Sequence, residues 1–324
     1  MINKIIFKFI LILFSLVFGL IVILSTIGIE TKRFNKIISY KIAQEKNIQL
    51  ILKTINFKLD PKELSLFLET KKPEIIYYNL SVPTESVKVY VDFLTLLKMD
   101  LKIKKIYLKL EELDITKLNL LSKFLKPSSF KSILNNKIIE GKFTSELEIY
   151  LGNNGKLDEY IIRGDVKDLK ANFISNLNLS KISFNFFADK EDILIKRIFG
   201  NIESIKISEG DMKINIENGV KINSNFTSEI DLNNKIIKKY SSFLSNYQFI
   251  KNVESFNGNF NNNFFINLDS TYKLKEYDYK FSGKIKESKI QLSKPIKNSF
   301  ISEKIENLYL SDTQLVSNLS PQNF

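Results

Sequence analysis

The side chains that most often perform chemistry in proteins are scarce in this sequence. Its 324 residues include no cysteine and no histidine. This excludes a thiol nucleophile, a Ser-His-Asp triad and zinc sites built from Cys and His. Carboxylates remain, and Glu146 and Glu148 could form a pair for acid-base catalysis. Because they alternate along a predicted strand, we expect both on its solvent face. We therefore predict a protein that is not an enzyme and needs no cofactor or metal.

Other polar residues in the sequence have structural interpretations. Asp165 and Asp211 lie beside predicted turns, where Asp side chains bond to nearby backbone. The Asn-rich residues 259–263 are low-complexity polar sequence and predict a loop, although alternation also predicts a strand at 260–268. The sequence contains no Gly-rich phosphate loop, nucleophile elbow or calcium loop. An enzyme would need an ordered carboxylate cluster, which this spacing does not indicate.

The elements that must position all these residues are mainly strands. Hydrophobic and polar residues alternate through residues 87–91 and 102–111, with a slip at Lys104-Lys105, and alternation dominates from residue 138 onward. Such alternation is typical of strands with one apolar and one wet face. The pattern predicts a mainly β fold, an antiparallel β-meander with a few short helices.

Turns and helices are predicted where the alternation stops. Turns are expected at 153–155, 189–192, 200–201, 209–210 and 218–219, and a break between strands 272–281 and 284–292. Helical spacing is found at residues 31–46 (with Thr31 as the N-cap), 92–97, 115–134 and 233–249.

The N-terminal segment predicts a membrane anchor. Residues 9–29 carry no charge, and as a helix they would extend about 31 Å, enough to cross a bilayer core. A cleaved signal peptide is the alternative. Lysines flank both ends, so the charge rule leaves the orientation open, although large domains translocate largely regardless of charge. The predicted anchor residues are Phe9, Ile10, Leu11, Phe14, Leu20, Ile21 and Ile29.

Positive charge is concentrated in the first part of the chain. Of the formal net charge of +12, most arises in residues 1–134, with 22 Lys and Arg against 12 Asp and Glu. This favours attraction to anionic lipid headgroups, and a Lys-rich codon bias is the alternative. Nucleic-acid binding is not expected, because the lysines are dispersed along strands.

The apolar strand faces must either pack in a core or bind a ligand, because too few helices are predicted to cover them. A closed sandwich or barrel would pack sheet on sheet. A single sheet curled into a gutter would instead leave its apolar inner face for a ligand. Periodicity leaves both architectures open.

The order of parts resembles the AsmA-like family of Gram-negative envelope proteins (AsmA, YhdP and TamB relatives), with chorein-type domains as distant kin. The likeness is carried by the apolar anchor and by hydrophobic patterns rather than fixed functional residues. The segments concerned are TKRFNKII (31–38), the block from VKVYVDFLTLLK to KIKKIYLKLEELDI (87–115), GKFTSELEIYL (141–151), IRGDVKDLKANF (162–173) and IFGNIESIKISEGDMKI (198–214).

The resemblance implies a single-pass inner-membrane protein whose bulk is periplasmic, an elongated, curled, gutter-like β-meander. Phospholipid acyl chains would run along its apolar groove between inner and outer membranes. The expected domains are an anchor (1–30), a membrane-proximal chorein-like segment (31–134) and a groove segment (135–324), a short or incomplete repeat array. The predicted groove residues are Ile103, Leu108, Leu110, Phe143, Leu147, Ile149, Leu151, Ile182, Phe184, Phe186, Ile214, Ile222 and Phe226.

A second hypothesis remains beside this one. The chain could be a membrane-anchored periplasmic scaffold for outer-membrane protein assembly, with a closed β core and no lipid. Under either hypothesis the C-terminal strand is expected to leave an open edge, which invites strand addition by a protein partner.

Overall fold

The computed structural model describes residues 2–32, 35–43, 48–52, 54–63, 65–92, 102–124, 136–152, 154–172, 178–241, 252–271, 273–297 and 303–320. Within these ranges the protein is mainly β, with an N-terminal apolar helix and a few short helices, which confirms the predicted fold class. The predicted helical turn at 92–97 falls almost wholly outside the described residues, as do the later parts of the helices predicted at 115–134 and 233–249.

The elements follow one another in a simple order. The helices are α1 (Ile2–Thr26), α2 (Asn35–Ala43), α3 (Ile115–Ser122) and α4 (Asn234–Ser241). The strands are β1 (Ile29–Thr31), β2 (Ile48–Ile51), β3 (Ile55–Asp60), β4 (Ser65–Lys71), β5 (Glu74–Tyr77), β6 (Leu80–Val82), β7 (Thr84–Val91), β8 (Ile103–Leu110), β9 (Leu113–Asp114), β10 (Ile138–Leu151), β11 (Leu157–Asn172), β12 (Asn178–Ala188), β13 (Asp192–Ile202), β14 (Ile205–Asn215), β15 (Val220–Asn233), β16 (Val253–Leu268), β17 (Leu274–Ile296) and β18 (Ile305–Leu319).

One antiparallel sheet contains most of these strands. Its order is β1-β3-β4-β7-β8-β10-β11-β12-β13-β14-β15-β16-β17-β18, with β9 paired to β10, while β2, β5 and β6 form a separate small sheet. From β10 onward each strand pairs with the next one in sequence, as expected for a meander. Among the described strands, β1 and β18 each end the path, so the sheet is open and forms no closed barrel.

The chain divides into two compact units. Unit 1 contains Met1–Lys131 and Phe143–Gly164, and unit 2 contains Ser132–Lys142 and Asp165–Phe324. Each unit is described separately below. The three domains expected from the sequence stay a prediction.

The exit from α1 differs from the sequence-based expectation. The helix ends at Thr26, and Gly28 then adopts a φ of +79°. A Cβ on Gly28 would lie 2.9 Å from the carbonyl oxygen of Phe57, so only glycine allows this close approach to β3. The next residues form β1: Ile29 pairs with Phe57, and Thr31 pairs with Ile55. Ile29 is therefore not part of the helical anchor, and Thr31 is not a helix N-cap.

Unit 1 has a small apolar core beside this exit. Ile55, Leu68 and Val91 are buried together, and Ile38 of α2 packs against them. The side-chain amide of Asn35 donates to the carbonyl oxygen of Leu52 at 3.5 Å, and the Ser39 hydroxyl donates to that of Leu50 at 3.2 Å. These two bonds hold α2 on the β2 segment, so helix and segment cover the sheet together.

The slip predicted at Lys104-Lys105 is present as a shift in strand register. Tyr90 of β7 pairs with Lys105, whereas the next residue, Val91, pairs with Ile103. Lys104 is therefore the extra residue of a β-bulge. The bulge keeps Ile103 on the same apolar face as Ile106.

Two turns predicted in unit 2 lie inside strands that contain β-bulges. Residues 200–201 lie inside β13 and residues 209–210 lie inside β14. Arg197 and Glu209 have φ values of +55° and +54°, and the register shifts beside each of them. The prediction at 209–210 was wrong because polar residues and glycine mark a bulge as readily as a turn. Residues 200–201 pair regularly with β14, and the chain turns only after Ile202.

The last strands are longer than the sequence pattern predicted. Residues 259–263, expected in a loop, form the middle of β16, and the break expected near 282–283 lies inside the single strand β17. A Cβ on Gly283 would lie 2.0 Å from the carbonyl oxygen of Asn259 and 2.7 Å from the Cα of Phe260. Gly283 therefore permits close strand packing and does not end a strand.

Candidate functional site: the apolar sheet faces

The N-terminal helix carries a candidate membrane span. Ile6–Thr26 is long and apolar enough to cross a bilayer, and its side chains are exposed rather than packed on the protein. The six predicted anchor residues other than Ile29 all lie within this segment. A helix whose apolar side chains are largely exposed is typical of an anchor or signal sequence.

In unit 1, one face of β3, β4, β7, β8 and β10 is apolar. Leu108 lies opposite Val87 on one side and Leu147 on the other, and residues paired across antiparallel strands share a face. Ile149 lies opposite Ile106 in the same way. Alternation along the strands places every predicted groove residue of this unit on this face, and each is half-buried: Ile103, Leu108, Leu110, Phe143, Leu147, Ile149 and Leu151.

A cavity of about 120 Å³ lies at this face, beneath α2 and the β2 segment. Its lining is aliphatic apart from one threonine: Ile38, Leu50, Leu52, Ile55, Leu68, Thr70, Val87, Val89, Ile103 and Ile106. Of these only Ile103 was among the predicted groove residues. Ile38, Leu50 and Leu52 were missed because α2 and β2 are placed over the sheet by contacts distant in sequence. The remaining lining residues lie on β3, β4, β7 and β8.

The opposite face of unit 1 is charged and aromatic. Lys58 pairs with Glu69 at 2.8 Å, and the buried Lys105 pairs with Glu63 while its ammonium lies 4.1 Å from the ring centre of Tyr90. Burial and the nearby Asp60 carboxylate raise the pKa of Tyr90. This face is therefore a layer of ion pairs and aromatic rings, unlike its apolar counterpart.

The carboxylate pair considered for catalysis belongs to this charged face. Arg163 of β11 pairs with Glu148, and its Nε lies 3.7 Å from Glu146. Burial and a hydrogen bond to Glu146 raise the pKa of Tyr107, and the Tyr150 hydroxyl donates to Glu148 at 2.7 Å. An arginine between two carboxylates makes the pair an ion-pair cluster.

Unit 2 repeats the division into two faces over longer strands. Phe186 lies opposite Ile195, Ile214 lies opposite Ile222, and Phe226 lies opposite Asn262. The predicted groove residues of this unit all lie on this one face: Ile182, Phe184, Phe186, Ile214, Ile222 and Phe226. Ile182 is only 6% exposed, whereas the other five are half-buried.

A row of aromatic rings extends this apolar face across β15, β16 and β17. Phe260 stacks on Phe256 at 5.6 Å between ring centres and meets Phe281 edge-on at 5.9 Å. Phe264 meets Phe226 at 6.4 Å. Phe256, Phe260 and Phe264 were not among the predicted groove residues, because residues 259–263 were interpreted as an Asn-rich loop although a strand was also predicted at 260–268. Their spacing of four residues, an even number, was the available signal for a shared strand face.

A small polar cluster is embedded in the same face. The Asn262 amide donates to the Ser228 hydroxyl at 2.9 Å and to the Phe226 carbonyl oxygen at 3.2 Å. Its own oxygen accepts from the Tyr279 hydroxyl at 2.7 Å, and burial raises the pKa of Tyr279. The polar atoms in this cluster bond to one another, so the cluster has little capacity left for a polar ligand.

The opposite face of unit 2 is hydrophilic. Asn259, Asn261 and Asn263 are exposed on it, opposite Glu229, Thr227 and Asn225. Asp211 also lies there, within β14, where it accepts a hydrogen bond from the Arg197 amide at 3.1 Å. Asp165 lies within β11 and accepts from Asn185. Both aspartates therefore stabilise strands rather than turns, contrary to expectation.

The last described strand forms an edge of the sheet. β18 pairs with β17 on one side, and its other side has no neighbouring strand among the described residues. Val316 and Tyr309 on β18 are 79% and 67% exposed. An edge with large exposed side chains can accept a further strand.

Comparison with known proteins does not add to this description. No protein-family model, no curated protein and no solved structure matches the chain. Within the described residues, no group of three Asp or Glu side chains is placed to hold a metal ion. The apolar faces are thus the features on which a functional hypothesis can be built.

Proposed function

We propose that this chain is an AsmA-like envelope protein that shelters or conducts phospholipid acyl chains on its apolar sheet faces. The observation that carries the proposal is the half-buried apolar face of unit 2. Ile214 and Ile222 lie opposite each other there, Phe226 lies on the same face further along β15, and the opposite face of the same strands is hydrophilic. Large apolar surfaces of this kind are rare on soluble proteins unless they bind something.

Acyl chains suit this surface for a physical reason. Moving one methylene out of water is favourable by about 0.8 kcal/mol, so sheltering most of a lipid chain needs on the order of 10 kcal/mol. Rows of Ile, Leu and Phe supply this without recognising a particular chain. The charged and amide groups on the other face keep the sheet soluble.

The anchor and the charge distribution support the proposed location. α1 would fix the protein in the inner membrane by a single pass, with the bulk of the chain in the periplasm. The excess of Lys and Arg in residues 1–134 would attract the anionic lipid surface next to it. Lipids leaving that membrane would thus meet a basic segment beside the anchor.

Site-specific photocrosslinking in living cells tests the proposal. A benzophenone amino acid replaces Phe264 on the apolar face, a nearly conservative exchange of one aromatic group for another. The matched control replaces the adjacent Asn263, which is exposed on the hydrophilic face. Leu108 and Lys109 form the corresponding pair in unit 1.

After irradiation, the full-length chain is purified and its bound phospholipid is measured by mass spectrometry. We expect phospholipid adducts at Phe264 and Leu108 and background levels at Asn263 and Lys109. Equal labelling on the two faces, or none on either, would refute lipid binding.

The exposed edge of β18 favours a second candidate, the membrane-anchored periplasmic scaffold. Val316 would then contact a partner protein that assists outer-membrane protein assembly. Benzophenone at Val316 would give protein adducts, and Phe264 would give no lipid adduct. The same set of crosslinking variants therefore separates the two candidates.

A further inference from the structure

The cavity in unit 1 is placed next to the point where the chain leaves α1. The helix ends at Thr26, and β1 follows within a few residues. Thr31 of β1 pairs directly with Ile55 of β3, and Ile55 lines the cavity. If α1 lies in a bilayer, the cavity is thus one strand away from the segment that emerges from it.

The cavity contains one polar group with no partner. Thr70 is 5% exposed, and its hydroxyl makes no hydrogen bond to any described residue. Its lining neighbours include Val87 directly opposite on β7 and the aliphatic side chains of α2 and β2. Because an unpaired buried hydroxyl destabilises a fold, its position facing a cavity points to a ligand that pairs with it.

Water is a poor candidate for that ligand. Buried waters typically make about three hydrogen bonds to polar groups, whereas the cavity lining offers one hydroxyl. A ligand with an apolar body and a single hydrogen-bonding oxygen matches the lining better. The ester carbonyl at the start of a phospholipid acyl chain has this chemistry.

The cavity size limits how much of the lipid enters. An apolar cavity of about 150 Å³ holds a molecule the size of benzene, so about 120 Å³ holds only a few carbons of a chain. The headgroup and the remaining carbons must lie outside the cavity. This size fits the carbonyl end of one chain and not a whole lipid.

We propose that this cavity binds the carbonyl end of one phospholipid acyl chain, with the Thr70 hydroxyl donating a hydrogen bond to the ester carbonyl oxygen. The inference rests on the proposed function and adds a defined first binding position beside the anchor. Thr70 would be its specificity-determining residue, because it favours an ester over an ether linkage. The α2 and β2 side chains Ile38 and Leu50 would cover the bound segment.

Two photoreactive phospholipids test this directly. Both carry a diazirine near the start of one chain, and they differ only in having an ester or an ether linkage there. The full-length protein is reconstituted in phospholipid nanodiscs containing either probe. Labelling is then quantified by mass spectrometry on peptides of β4 and β7, which separates cavity labelling from labelling of α1 in the bilayer.

We expect the ester probe to label these peptides about threefold to tenfold more than the ether probe, the range that one net hydrogen bond supplies. In Thr70→Val, which keeps the side-chain shape but removes the hydroxyl, the ratio should fall to about one. Thr227→Val on the hydrophilic face of unit 2 should leave the ratio unchanged. Val87→Phe, which fills the cavity, should abolish labelling of β4 and β7 by both probes.

Equal ester and ether labelling of the wild-type chain would overturn the role of Thr70. Undiminished labelling in Val87→Phe would overturn the cavity as the site, provided circular dichroism shows that the variant is folded. Labelling by a photoreactive free fatty acid but not by the phospholipid would overturn the proposed ligand. If any of these results is accompanied by lipid adducts at Phe264, the proposed function stands and only the cavity proposal fails. If lipid labels neither Phe264 nor the β4 and β7 peptides, the proposed function fails as well.

Discussion

Ile222→Asp places a carboxylate in the middle of the apolar face of unit 2. Ile222 lies directly opposite Ile214 on β14 and Ile266 on β16. The matched control is Asn223→Asp, one residue further along β15, where the side chain is exposed on the hydrophilic face. Both variants introduce the same charge into the same strand, so a difference between them reports the face and not the charge.

The size of the effect follows from what Ile222 can contact. A fully buried Ile contributes about 1.5–3 kcal/mol, so this half-buried one should cost roughly 1 kcal/mol of unfolding free energy when replaced. An acyl chain crossing the position would lose shelter for about two methylenes, roughly 1.6 kcal/mol in total at about 0.8 kcal/mol each. That corresponds to a fall of about fifteenfold in lipid occupancy.

The assay compares bound phospholipid by native mass spectrometry with stability by urea unfolding of the full-length chain. We expect Ile222→Asp to lose most of its lipid yet remain folded, and Asn223→Asp to match the wild type. In a closed core the buried carboxylate would instead cost several kcal/mol, a large part of the stability of a typical domain. Unfolding of Ile222→Asp, or undiminished lipid in a folded variant, would refute the open-face reasoning.

Three further outcomes are expected. Gly283→Ala should destabilise unit 2 by roughly 1–3 kcal/mol in urea unfolding, because the added Cβ would overlap β16. The control Gly152→Ala should cost less, because its Cβ would have no neighbour nearer than 3.4 Å. Equal losses of stability in the two variants would contradict this prediction. Burial raises the pKa of Tyr279 above its ordinary value of 10.0, so the folded state holds the phenolic proton more tightly than the unfolded state. The contribution of Tyr279 to the free energy of unfolding should therefore be complete below pH 10 and decline as the pH rises further. Tyr279→Phe should weaken that decline. Because the chain has no cysteine, Lys190→Cys in the β12–β13 turn introduces a single thiol. A periplasmic thiol should react with a membrane-impermeant maleimide added outside the inner membrane. Protection of this thiol would contradict a periplasmic location.

The alternation of apolar and polar residues was enough to predict strands and their faces, because the side to which a strand residue points depends only on its position along the strand. A residue two positions along a strand points to the same side whatever its neighbours do. Ile214 and Ile222, chosen from separate strands, lie opposite each other for this reason. Even the bulge at Lys104 was visible, since an extra residue leaves a step in the hydrophobic pattern.

The amino-acid composition of residues 259–263 led to a wrong prediction, because it was given more weight than the alternation of apolar and polar residues. Residues 259–263 contain four asparagines and predicted a loop, yet Phe260 within this stretch and Phe264 directly after it keep the period of two. Extending that period places Asn262 on the apolar face, where the structure has it. The four residues are tolerated in β16 because three face solvent and Asn262 finds partners on neighbouring strands.

The cavity could not be predicted in the same way. Thr70 looks like one of many strand threonines, and nothing local tells that α2 and β2 cover it. That cover depends on Asn35 and Ser39 bonding to a segment eleven or more residues away. Arrangements made by such distant pairs leave no periodic signal in the sequence.

Polar groups on the two apolar faces differ in one respect that bears on function. In unit 2 the Asn262 oxygen accepts from Tyr279 and its amide donates to Ser228, so the cluster offers an acyl chain no strong polar contact that would fix its position. In unit 1 the Thr70 hydroxyl has no such partner among the described residues. A surface that conducts lipid needs weak, repeated apolar contacts along its length, whereas a loading position needs at least one group that distinguishes the end of the chain. The satisfied cluster fits the first requirement and Thr70 fits the second.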